Sequence, residues 1–132
     1  MAEPHYRHLT LRTEQQVLVL TFTVPQMHGD ALMEELRQEL LTAVIRAQAS
    51  RVVLDFHNVE YLSSAGFRPL LSLRRHLHEK GGSMVLCGLA PEVAEVFHVT
   101  RMISTSRSSP APFDVEDDVP AAMARLNAGQ GP

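Results

Sequence analysis

A single cysteine, Cys87, and a single lysine, Lys80, occur among the 132 residues. One cysteine excludes an internal disulfide and any multi-cysteine metal site, and it fits a reduced, cytoplasmic setting. With 12 basic residues against 15 acidic ones, the net charge is −3 and no basic stripe forms. Nucleic acid is therefore not an expected partner, because binding phosphates needs clustered positive charge. No apolar run approaches the roughly 20 residues that span a bilayer, so direct membrane insertion is not expected. Met1 to Arg12 lacks the charged-then-apolar pattern of a secretory signal. Internal repeats are absent, and so is any Gly-x-Ser-x-Gly elbow.

What remains is an ordinary globular composition, 45% apolar and 20% charged, of a length that suits one domain. Residues 1–132 are expected to form that domain, with a core at about 6–127, a flexible Ser/Pro-rich loop at 104–112 and a frayed tail at 128–132. Alternation in Tyr6 to Arg12 predicts an edge strand or hairpin arm. Val17 to Val24 predicts a strand with Leu18, Leu20, Phe22 and Val24 on one face and Val17, Val19, Thr21 and Thr23 on the other. A helix is expected from Ala31 to Ala47, capped by Asp30, with Leu32, Leu36, Leu40, Ala43, Val44 and Ala47 as its buried stripe. Arg51 to Phe56 and Ser83 to Cys87 read as interior strands, apolar on both faces. Between them a second helix should run from Ser63 or Ser64 to Lys80, closed by Gly81-Gly82, with Pro69 bending or delaying its start. Pro91 opens a short third helix. Met102-Ile103 reads as the remnant of a last strand, and a closing helix begins near Asp118. Strands and helices in this order predict an α/β fold: a mixed β-sheet of four to five strands with about four helices, packed mainly on one face.

The stretch from Arg51 to Phe97 resembles the STAS family, which includes bacterial anti-sigma factor antagonists, stressosome subunits and the cytoplasmic tails of sulfate transporters. The matching pieces lie in order. Val52-Val53-Leu54-Asp55-Phe56 is followed by Val59-Glu60-Tyr61-Leu62-Ser63-Ser64-Ala65-Gly66-Phe67-Arg68. After the intervening helix come Gly81-Gly82-Ser83-Met84-Val85-Leu86-Cys87-Gly88-Leu89 and Pro91-Glu92-Val93-Ala94-Glu95-Val96-Phe97.

The resemblance implies a regulatory protein-binding module that is not an enzyme. It would bind an anti-sigma factor with serine kinase activity and be switched off by serine phosphorylation. In phosphoregulated members the tetrapeptide reads Asp-Ser-Ser-Gly; aligned on Gly66, the modified serine is Ser64, with Ser63 the alternative. Ser63 stands in place of the aspartate and Ala65 in place of the second serine. Partner contacts are expected at Ser63, Ser64, Ala65, Gly66, Phe67 and Arg68. The resemblance equally admits a constitutive structural subunit of a stressosome or of a lipid-transporting ABC complex, and a weak homodimer is compatible with it.

Each of these residues also has a plainer reading. A serine at a strand-to-helix junction ordinarily caps the helix, worth about 1 kcal/mol; Ser63 as the cap would leave Ser64 free. Asp55, His57 and Ser64 invite comparison with a catalytic triad, but strand alternation is expected to split Asp55 from its neighbours. His76 and His78, two apart on a helix, point apart and make a poor metal pair. His5, His8 and His28 lie on separate segments and are expected at the surface. Cys87 is expected to be a buried packing residue. No cofactor or metal is implied.

Overall fold

The computed structural model describes residues 6–103 and 111–128. Its main sheet has five strands in the order β1 (Leu9–Glu14), β2 (Val17–Phe22), β4 (Arg51–Asp55), β6 (Ser83–Cys87), β7 (Asp114–Glu116). β1 runs antiparallel to β2, and the remaining pairs are parallel. A second, two-stranded parallel sheet joins β3 (Gln26–Met27) to β5 (Tyr61–Leu62). The helices are α1 (Asp30–Ala47), α2 (Phe67–Glu79), α3 (Pro91–Val99) and α4 (Val119–Ala128), with a short 3-10 turn, Ser64–Gly66, leading into α2.

The period-two pattern of β2 decides which layer packs where. Leu18, Leu20 and Phe22 enter the larger core together with Val52, Leu54, Met84 and Leu86, against α1, α2 and α3. Val17 and Val19 join Val53, Val85 and Cys87 on the opposite face, covered by Ala122, Met123 and Leu126 of α4. Three helices thus cover one face and one the other, as a sheet whose central strands are apolar on both sides requires. The larger core holds all five phenylalanines of the chain. Phe97 of α3 meets Phe56, Phe67 and Phe113 edge-on, at centroid distances of 6.0, 5.1 and 6.1 Å, and Phe22 lies 4.7 Å from Phe56.

Several sequence-based boundaries move. β1 begins at Leu9 and ends at Glu14, because Gln15 and Gln16 both take positive φ (51° and 66°) and close a tight hairpin. Asp30 is the first residue of α1 and does not cap it; Gly29 occupies the cap position, with φ 90°. Met33 takes the buried place expected of Leu32, and Ala47 is exposed, so the buried stripe ends at Val44. The last strand is Asp114–Glu116 and not Met102-Ile103; Ile103 makes a single bridge to Phe113. Three residues with acidic ends carry no alternation to read. α2 starts at Phe67, later than expected. There Pro69 falls in the first turn, where its missing amide would have had no helical partner. Asp118 does cap its helix, accepting the Ala121 amide at 2.9 Å. The expected loop at 104–112 lies largely outside the described residues, and His5 falls outside them entirely.

Replacing Phe97 by alanine opens a cavity touching three rings and should cost about 3–5 kcal/mol. Val99→Ala, two residues on and 67% exposed, should stay within about 0.5 kcal/mol. Urea unfolding of the two variants tests this contrast; equal losses would contradict the central role of Phe97.

Candidate functional site

The serine segment is held in place by main-chain bonds from a distant part of the chain. Pro25 O accepts the amides of Glu60 (2.7 Å) and Tyr61 (3.2 Å), and Met27 O accepts that of Ser63 (3.0 Å). The β3–β5 ladder therefore continues as far as Ser63, which is extended (φ −91°, ψ 171°), before the chain enters the 3-10 turn. Gly66 closes that turn by donating its amide to Ser63 O at 2.9 Å. A Cβ on Gly66 would lie 2.9 Å from Leu62 Cγ and 3.3 Å from Met27 O. Only the absence of a side chain permits this approach.

The six sequence-predicted site residues do not share one surface. Gly66 and Phe67 are buried, the latter against Phe97, and anchor the segment. Ser63 and Ala65 are half-buried, while Ser64 and Arg68 are exposed. Neither the 3-10 turn nor α2 has a side-chain cap. The Ser63 hydroxyl, expected as the cap, faces Met27 O at a long 3.5 Å. Exposure recurs at Ser64, Arg68, Leu71 and Arg75, the spacing of one helical stripe.

Three neighbours escaped the sequence reading. Asp30, freed from capping, pairs with Arg68 at 3.2 Å. His28 packs edge-on against Tyr61, ring centroids 5.7 Å apart, and Tyr61 is 51% exposed. Tyr61 lies within the stretch that carries the family resemblance, but the pairing of β3 with β5 that brings His28 to it left no mark in the sequence.

Elsewhere the structure corrects the treatment of the histidines and of Asp55. Asp55 is not split from its neighbours: His57 leaves the end of β4 and turns back, with Nδ1 2.7 Å from Asp55 Oδ2 and its amide 3.1 Å from Oδ1. Among the described residues Ser64 makes no hydrogen bond to this pair. The carboxylate also lies against Gly88 (φ 71°), where a Cβ would approach Oδ1 to 2.8 Å. His8 is half-buried and ties the segment before β1 to α1, with Nε2 3.0 Å from Glu35 and 3.8 Å from Glu39. Among the described residues no group of three or more His, Cys, Asp or Glu could hold a metal ion, and no helix is long and apolar enough to cross a membrane.

Residues 8–111 match the model of the STAS domain. The chain belongs to the STAS family. It is 41% identical over 76 residues to a Bordetella bronchiseptica protein provisionally named anti-sigma factor antagonist BtrV, a match covering 58% of this chain and 65% of that one. It is 30% identical over 57 residues to an anti-sigma F factor antagonist of Paenibacillus polymyxa, covering 43% and 49% of the two chains. The matches thus span about half to two thirds of these relatives' lengths. The anti-sigma factor antagonist SpoIIAA, solved in its unphosphorylated form, superposes with a TM-score of 0.70 at 18% identity, over 91% of this chain and 96% of that one. At that identity the likeness is one of fold: the STAS sheet and its helices.

Cys87, fully buried as expected, has its thiol pushed up to about 12 by burial, reinforced by the negative charges of Asp55 and Asp118. Iodoacetamide should therefore leave it unmodified at pH 8 in the folded protein, and alkylation should keep pace with unfolding. A thiol raised in the folded state favours folding below its unfolded value and loses that contribution as pH climbs toward 12. Stability should fall above about pH 9, and less so in Cys87→Ala. Gly66→Ala keeps an ordinary backbone (φ −64°), so its effect is one of packing. It should cost about 1–3 kcal/mol and shift the amide signals of Met27, Ser63 and Ser64, measured by chemical denaturation and NMR.

Proposed function

We propose that this STAS protein is an anti-sigma factor antagonist, a binding module and not an enzyme, whose docking face is switched by phosphorylation of Ser64. The observation that carries the reading is that Ser64 is presented and not used. Its flanks are pinned by Gly66, Phe67 and the Met27 carbonyl, its hydroxyl caps no helix, and it heads the exposed stripe through Arg68, Leu71 and Arg75. Names carried by the relatives support the antagonist role.

The switch works by charge. A partner kinase transfers the terminal phosphoryl group of a nucleoside triphosphate. The Ser64 oxygen bonds phosphorus, the bridging P–O bond to the diphosphate breaks, and the hydroxyl proton passes to the kinase. The product adds roughly −1.5 to −2 charges to the face. Because the Ser64 side chain is exposed, the fold should survive and only the surface should change. An anti-sigma factor docked over Ser64, Arg68 and Tyr61 would then be repelled. Ser63, standing where the aspartate would be, favours one other reading. On that reading the same face binds a scaffold or transporter constitutively, as in a stressosome or a lipid-transporting ABC complex.

The test uses wild type, Ser64→Ala and Ser64→Asp as bait in lysate of the native host, with partners identified by mass spectrometry and then purified. A kinase-type anti-sigma factor should be retained by wild type and Ser64→Ala but lost, at least tenfold, with Ser64→Asp. Incubated with ATP, it should place phosphate on Ser64. Equal retention of one scaffold or transporter partner by all three baits would replace the switch with the constitutive reading.

A further inference from the structure

The ion pair between Arg68 and Asp30 joins the start of α2 to the start of α1. The Arg68 Nη1 to Asp30 Oδ1 distance is 3.2 Å, and the side chains are 67% and 83% exposed. A pair so open to water is held weakly. Ser64 opens the 3-10 turn that leads directly into α2, Arg68 is the second residue of that helix, and both are exposed.

We propose that Arg68 is shared: it pairs with Asp30 in the unmodified protein and transfers to the phosphate once Ser64 is phosphorylated, leaving Asp30 bare. The proposal rests on Ser64 being the modified residue. Its physical basis is competition for one guanidinium. A phosphate offers three acceptor oxygens and up to two charges, against the single charge of an exposed carboxylate, and arginine's planar fork suits it. Before modification, Ser64 is neutral and Arg68 cancels Asp30, so a partner meets a face of no net charge at these three residues. Afterwards Arg68 partly screens the phosphate, and the negative charge it had been cancelling reappears at the start of α1. The switch then extends across two elements. It also bears on the departure at Ser63: with no carboxylate next to the phosphorylated serine, Asp30 is the acid whose charge the phosphate uncovers through Arg68.

Phosphoserine installed at position 64 by genetic encoding tests this without kinase or partner. The phosphate would be titrated by 31P NMR in wild type, Arg68→Gln, Asp30→Asn and the double variant, all exposed substitutions. The second ionisation should occur at lower pH in wild type than in Arg68→Gln. Asp30→Asn should lower it further, and most of that effect should vanish in the double variant, because it acts by freeing Arg68. The Arg68 Nε–Hε signal should also move on phosphorylation. Identical titration of wild type and Arg68→Gln would overturn the proposal. So would an Asp30→Asn effect of the same size with and without Arg68, which would mean simple repulsion. Loss of partner binding on phosphorylation, measured separately, judges the antagonist reading, so the two fail independently.

Discussion

The packing of Phe97 against three other rings is the constraint on which the rest of the structure depends. Phe56 follows the central strand, Phe67 starts α2, and Phe113 precedes β7. Edge-on aromatic contacts have a preferred geometry as well as a large buried area. The cluster therefore fixes where these segments meet as well as holding them together. With Phe67 seated, α2 has a defined start, and the residue one position on, Arg68, is directed outward.

The serine segment is presented by a combination of rigid and sparse features. The β3–β5 pair is only two residues long in each strand, yet it carries main-chain bonds from Pro25 and Met27 to Glu60, Tyr61 and Ser63. Gly66 lets the turn close onto Leu62 and the Met27 carbonyl. These contacts hold the backbone on both sides of Ser64 while leaving its side chain in water. On the proposed reading, a phosphate there would change surface charge without disturbing the core. Asp30 and Arg68, paired at 3.2 Å, lie at the starts of two different helices and link them at this face.

On the other side of the sheet, the polar groups serve the fold. Asp55, at the end of β4, is buried but satisfied by the His57 ring and amide, and Gly88 leaves room for its carboxylate. Cys87 lies beside it in the ladder, paired across the strands with Asp55. Both histidines that escaped correct placement, His8 and His57, are bonded to carboxylates. Their partners are two residues away in one case and on another element in the other.

Much of this was legible in the residues themselves. Strict alternation in Val17 to Phe22 placed Leu18, Leu20 and Phe22 in one layer and Val17 and Val19 in the other, because successive strand side chains must point to opposite faces. The apolar runs at Arg51 and Ser83 marked central strands, Pro91 opened α3, and the order of segments around Ser63-Ser64-Ala65-Gly66 pointed to the family. Those signals are local or periodic, and local sterics are enough to produce them. What the residues alone did not show is everything set by a distant partner: the pairing of β3 with β5, the Asp30–Arg68 contact and the strand at Asp114–Glu116. The family resemblance made both Phe67 and Arg68 candidates for a partner surface. Which of the two faces inward was decided by the position of Phe97, because only the tertiary fold brings the ring of α3 to the start of α2.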